Sequence, residues 1–117
     1  LLQSPLIQDG AGVVDGKRVG VNARLLEIDR ATGTTREFVY RLDDPGNGLN
    51  EILAVNAHQF LVIERDSALG KDARIKRVYL IDLTGATDVT GVAALPAGAL
   101  PAGIVPVRKA PFLDLLY

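Results

Sequence analysis

Four consecutive apolar residues, Phe60-Leu61-Val62-Ile63, restrict the fold of this chain more sharply than any other stretch. A β-strand turns alternate side chains to opposite faces, so an unbroken apolar run calls for cover on both faces. The run lies within residues 50–66, NEILAVNAHQFLVIERD, which read as strands over 51–55 and 59–65 joined by a tight turn at 56–58. Acidic residues stand at both outer ends of this hairpin. As the inner hairpin of a larger sheet, it brings Glu51, Glu64 and Asp66 together.

The flanking sequence supplies more strands of the same kind. Residues 21–29, VNARLLEID, and 35–42, TREFVYRL, are β-rich and separated by a turn in which Gly33 takes positive φ, so they form a hairpin. The turn formers at 43–48, DDPGNG, mark the sharpest boundary. Residues 74–83, RIKRVYLIDL, are a further strand, and 104–108 a short edge strand that tolerates Pro106. Residues 3–20 and 87–103 read as long loops, the second carrying LPAG twice by accident of composition, and 111–117 as the approach to further structure.

One internal similarity organises these elements. Leu25-Leu26-Glu27-Ile28-Asp29 with the turn at Gly33 matches Tyr79-Leu80-Ile81-Asp82 with the turn at Gly85, at a spacing of 53 positions between Asp29 and Asp82. A period near 50 with four strands per unit is that of a β-propeller blade. The expected fold is therefore all-β and antiparallel, a propeller fragment of one complete blade over 46–110 and part of a preceding blade over 1–45, with 111–117 starting the next element. A two-sheet β-sandwich or barrel of the same strands is the alternative. Such a fragment exposes sheet faces and edges, so its expected partners are the remaining blades of a longer chain or copies of itself.

Composition narrows the chemistry. The 117 residues fit one domain, and 13 basic against 14 acidic groups give a net charge of −1 with no basic block, which leaves no footprint for nucleic acid. The absence of cysteine removes disulfides, thiolate metal sites and a cysteine nucleophile. No run approaches the ~18 apolar residues of a membrane span, and the opening Leu1-Leu2-Gln3-Ser4-Pro5 carries no targeting signal and reads as the interior of something longer. Residues 10–18 miss the phosphate-loop pattern at Ala11 and Arg18, and 66–72, DSALGKD, lack the alternating oxygen ligands of an EF-hand. His58, the single histidine, falls in a turn and reads as a surface residue. Phe38, Tyr40 and Tyr79 read as packing between sheets.

The segments Gln3-Ser4-Pro5-Leu6, LLEIDRATGTTREFVYRL, NEILAVNAHQFLVIERD, KRVYLIDLTGATDV and PVRKAPFLDLL together resemble the family described as esterase-like activity of phytase, a phytase-like propeller domain of mostly bacterial exported proteins. The resemblance covers nearly the whole chain. It implies ester or phosphoester hydrolysis by acidic residues, assisted by a divalent cation such as Ca²⁺ or Mg²⁺, on a small phosphoester ligand, and a periplasmic or secreted location. By motif, it carries catalytic or metal-binding roles to Glu51, Glu64 and Asp66, and substrate binding to Arg65, Gln3 and Ser4.

The residues themselves leave two readings open. On the propeller parse one rim gathers Asp9, Asp15, Asp43, Asp44, Glu51, Glu64, Asp66 and Asp72, and clustered carboxylates bind hard cations that polarise a phosphate or activate water. Arg65 beside them can hold a phosphate oxygen through paired hydrogen bonds. Alternatively Glu64, Arg65 and Asp66 form a structural ion-pair network at the end of a strand, and the domain is a non-catalytic binding or scaffolding unit.

Overall fold

The computed structural model describes residues 1–116. Eight strands follow in order: β1 (Gly12–Val14), β2 (Lys17–Val19), β3 (Asn22–Ile28), β4 (Thr35–Arg41), β5 (Gly48–Ala54), β6 (Gln59–Arg65), β7 (Lys76–Asp82) and β8 (Arg108–Asp114). They form three antiparallel sheets, namely the β1–β2 hairpin, the β3–β4 pair and the four-stranded meander β5-β6-β7-β8. The described residues contain no α-helix, so the expectation of an all-β antiparallel fold holds.

Alternation fixes how the two main sheets meet. Ala23 and Leu25 of β3 and Phe38 and Tyr40 of β4 point to one side, and they pack on Val62 of β6 and Tyr79 and Ile81 of β7. Leu42, Leu49 and Val107 close the ends of this main core. On the other side of β3–β4 a second cluster of Val39, Val89 and Leu95 is buried. That cover comes from the irregular segment after β7, whose Val89 and Val107 amides donate to the Glu37 and Val39 carbonyls at 2.8 and 2.9 Å and so occupy the free edge of β4.

Three strand boundaries differ from the sequence reading. The fourth strand of the meander is β8 at 108–114, where the sequence pointed to 104–108. The segment from Pro111, read as the approach to further structure, is part of this strand as far as Asp114, and Pro111 pairs with Tyr79 on an edge strand beside a register shift, a position where proline is tolerated. Tyr117, the last residue of the segment read as an approach to further structure, lies outside the described residues. β5 begins at Gly48, earlier than expected, since Gly48 and Leu49 pair with Arg65 and Glu64 and the Leu49 amide donates to the Gln3 carbonyl at 2.8 Å. The loop read over 3–20 contains the β1–β2 hairpin and a 3₁₀ turn at Ile7–Asp9.

The apolar run of β6 also receives less cover than expected. Val62 is fully buried between the sheets, whereas Leu61 and Ile63 face away and stay half-exposed.

The two long loops are fastened by one buried ion pair. Arg24 Nε and Nη2 donate to the two carboxylate oxygens of Asp9 at 2.7 and 2.8 Å, and neither side chain is more than 5% exposed. Arg24 also donates to the carbonyls of Val89 and Val92, and the Leu95 amide donates to Asp9 Oδ1 at 2.8 Å. Gly10, at φ +85°, lets this clasp close, because a Cβ there would lie 2.5 Å from that of Ala97. Asp9→Ala leaves the Arg24 guanidinium buried without its partner, and a loss of about 3–5 kcal/mol is expected. A urea denaturation midpoint equal to that of the parent would remove the pair from this role.

Candidate functional site

The densest polar cluster lies between the two main sheets and centres on Glu64 of β6. Alternation turns Glu64 inward in line with Phe60 and Val62, and its residue exposure is 0%. A carboxylate in that position costs several kcal/mol unless every oxygen is paired. Here Oε1 accepts from the Asp43 amide at 2.7 Å and from Asn47 Nδ2 at 2.8 Å, and Oε2 accepts from the Tyr40 hydroxyl and from Lys109 Nζ, both at 2.7 Å.

Lys109 reaches this carboxylate from β8. Its ammonium also donates to Asp43 Oδ1 at 2.7 Å and to the Arg41 carbonyl at 2.9 Å, and it lies 4.7 and 4.3 Å from the ring centres of Tyr40 and Tyr79. The three donors of the ammonium are therefore spent, and two π-faces supply further cation attraction. The Tyr79 hydroxyl completes the cluster by donating to Asp43 Oδ2.

Protonation states follow from these contacts. Burial, the hydrogen bond to Glu64 and the neighbouring negative charges all raise the Tyr40 phenol, so it stays a neutral donor. Burial and the bond to Asp43 also raise Tyr79. Burial works against ionisation of Asp43, but hydrogen bonds from Lys109 and Tyr79 and the Lys109 charge outweigh it and hold the carboxyl below its ordinary value. The same balance holds at Asp9, where burial is outweighed by Arg24 and the Leu95 amide.

The residues singled out in the sequence are dispersed around this cluster. Asp66, just past β6, binds Lys76 Nζ and the amides of Arg74 and Ile75, and these contacts, Lys76 first, pull its carboxyl down to about 2. Glu51 is exposed and sits at the bulge between Asn50 and Ile52 with φ +52°, a left-handed conformation that non-glycine residues seldom take. Gln3, Asn50 and Glu51 line one open, polar cavity, and Arg65 Nε donates to Asn50 Oδ1 beside it at 2.9 Å. Ser4 is half-buried next to Pro5 and has no place in that lining. Asp9 belongs to the clasp under the second core cluster, apart from Glu64.

Glu51, Glu64 and Asp66 thus have separate surroundings, and among the described residues no group of three His, Asp or Glu side chains is placed to hold a metal ion. The donor set does not fit Ca²⁺ or Mg²⁺, since a cation at Glu64 would have to replace four protein donors, one of them an ammonium. His58 lies on the opposite rim, 3.3 Å from Asp82 Oδ1 and 3.4 Å from the Thr84 hydroxyl. Both contacts use Nδ1, whereas a catalytic relay needs both ring nitrogens.

Sequence reasoning missed Lys109, Asn47 and the hydroxyls of Tyr40 and Tyr79. The one available signal was a lysine opening the apolar stretch KAPFLDL, between the residues read as an edge strand and those read as the approach to further structure.

The family model for phytase-like proteins, described as esterase-like activity of phytase, matches residues 1–117. No curated protein and no solved structure matches the chain.

Two outcomes follow from the cluster. Lys109→Met strands the Glu64 carboxylate and is expected to cost about 3–5 kcal/mol. Adding Glu64→Gln removes the bare charge and should return about 1–2 kcal/mol of coupling. Additive losses in a double-mutant cycle would contradict the pairing. The second outcome concerns acid. Asp9, Asp43 and Asp66 have depressed folded-state values, so between the ordinary aspartate value of about 3.9 and lower pH the unfolded chain binds protons that the folded chain does not. The stability they contribute is complete above about pH 5 and falls as pH drops toward about 2. Urea midpoints should decline across that window, and a flat profile would refute the assignment.

Proposed function

The chain belongs to the phytase-like family, and from that premise we propose that it is a sheet-forming scaffold unit of a phytase-like domain, in which Glu64 and Asp66 hold structure. The observation that carries this reading is the fully buried Glu64 carboxylate with its four protein donors, Lys109 among them. A group so engaged has no oxygen left for a cation or a water nucleophile. Asp66 supports the same reading, because its carboxylate closes the 66–76 loop by bonding two loop amides and Lys76. The β5–β8 meander then corresponds to a propeller blade and β3–β4 to the outer half of the blade before it.

A hydrolytic reading moves to a different acid. Glu51 is exposed, has a strained backbone and shares its cavity with Gln3 and Asn50, with Arg65 adjacent. Strain of this kind persists where the surroundings over-determine it and gathers at functional positions. In that case Glu51 acts as the general base on an ester held by the Gln3 and Asn50 amides, and Glu64 only supports the site.

Calorimetric titration with Ca²⁺ and Mg²⁺, together with nitrophenyl ester and phosphodiester assays, separates the readings. The scaffold reading expects no saturable cation binding that depends on Glu64. One ion bound per chain, lost in Glu64→Gln with the fold retained, would overturn it. Ester hydrolysis lost in Glu51→Gln at unchanged stability would instead establish the hydrolytic reading.

A further inference from the structure

One edge of β3 is open. Backbone groups along a strand point alternately to its two edges, and the Leu42 amide takes the Val21 carbonyl on the β4 side, so the N–H and C=O groups of Arg24, Leu26 and Ile28 point away from β4. Leu2 meets the first of these, its amide donating to the Arg24 carbonyl at 3.2 Å. Among the described residues, no backbone group pairs with Leu26 or Ile28 on that side. An uncovered edge of this kind is a template for another strand.

Beside the edge lies a cavity of about 270 Å³ between the two main sheets, with Leu1, Leu25, Phe38, Ile52, Phe60 and Leu83 in its walls. It is smaller than the ~300 Å³ at which small-molecule pockets begin. Free amides along its rim ask for an occupant with a backbone as well as apolar side chains. Leu1-Leu2 is already such an occupant at one end. Leu1 shares the cavity with Leu25, Leu26 and Glu27, Leu2 is held at Arg24, and the segment therefore runs antiparallel to β3.

The internal repeat defines the strand that fits. The spacing of 53 positions between Asp29 and Asp82 sets Arg24 against Arg77 and Leu26 against Tyr79. β7 is flanked on both edges, by β6 and β8, and the bond from the Leu83 amide to the His58 carbonyl places the Arg77, Tyr79 and Ile81 groups on the β6 side. Their counterparts are the open groups of β3. Glu64 of β6 pairs with Arg77 and Val62 with Tyr79, so Leu2 stands where Glu64 does, and a residue ahead of Leu1 would stand where Val62 does.

We infer that the open edge of β3 and the cavity beside it seat a β-strand that runs into Leu1, antiparallel to β3. Its backbone bonds Leu26 and Ile28, and every second side chain, in phase with Leu1, is aliphatic and buried in the cavity. The strand is the third member of the β3–β4 sheet, which with two strands is marginal by itself. This seat rests on the blade reading of β3–β4, but its test involves neither Glu64 nor a cation, so it can fail while the scaffold role of Glu64 stands.

Hydrogen exchange of the Leu26 and Ile28 amides, followed by NMR, tests it in the parent chain and in chains extended ahead of Leu1 by Val-Thr-Val-Thr or by Thr-Val-Thr-Val. The first extension puts valine in phase with Leu1 and should slow exchange of both amides at least about 10-fold relative to the parent. The second puts threonine there and should leave exchange within about 3-fold of the parent. Ile52→Lys, which sets a charge in the cavity wall, should abolish the slowing given by the first extension with an unchanged circular dichroism spectrum. Exchange as fast with Val-Thr-Val-Thr as in the parent overturns the inference. Equal protection by the two extensions also overturns it, since the cavity then selects nothing. Parent amides already protected, in a chain that sediments above 12.5 kDa, would give the edge to a second copy and overturn it as well.

Discussion

The ammonium of Lys109 crosses from the last strand of the meander into the space between the two sheets, and it meets there the one carboxylate that the apolar interior cannot hold alone. Glu64 has to face inward because Phe60 and Val62 do, and a strand cannot turn one side chain of an alternating set outward without a bulge. Once the carboxylate is inside, its energy depends on four donors from three segments: Tyr40 of β4, the Asp43 amide and Asn47 of the turn after it, and Lys109 of β8. Those contacts tie β4, the turn after it, β6 and β8 together at one point. The edge strand β8 is thereby linked to the core by more than its ladder to β7, although five of its seven residues are exposed.

A second buried pair performs the same service one layer out. Arg24 and Asp9 gather carbonyls and an amide from the segment over 89–95, which forms no strand itself. Irregular backbone needs partners for its polar groups, and this clasp supplies them while Val89 and Leu95 bury against Val39. Both pairs place ionised groups where desolvation is costly, so they are stabilising only as complete sets. Acids of a phytase-like chain, which invite a metal-centred interpretation, are here consumed by folding at three of the positions that matter most: Asp9, Glu64 and Asp66. Glu51 differs because its carboxylate remains at the surface.

Local pattern made the strands legible, and its limits explain the errors. β6 was placed at its observed bounds because its apolar run lies between the turn at 56–58 and the charged residues Glu64 and Arg65, and β3, β4 and β7 were placed within one or two residues. β8 was misplaced because 104–108 and 111–117 read as separate elements, and only pairing to β7 shows that 108–114 is one edge strand that holds Pro111. The cover expected on both faces of Phe60-Leu61-Val62-Ile63 was half found. Among the described residues only the inner layer packs on the run, which buries Val62 and leaves Leu61 and Ile63 half-buried. Tyr40 and Tyr79 were correctly read as packing, yet their hydroxyls proved to be the polar contacts that make the packing possible around Glu64 and Asp43.

What the amino-acid sequence determines by itself is whatever depends on neighbours along the chain: the alternation that produces β3 to β7, the turns between them, the absence of thiol chemistry and the family to which the chain belongs. Tertiary structure decided which acids meet which bases. Glu64 and Lys109 are 45 positions apart, and Asp9 and Leu95 are 86 apart. No local rule relates residues at such distances, because sheet register and loop closure set their separation. Burial then decides whether a carboxylate is a ligand or a structural group, and burial is a property of the packed layers.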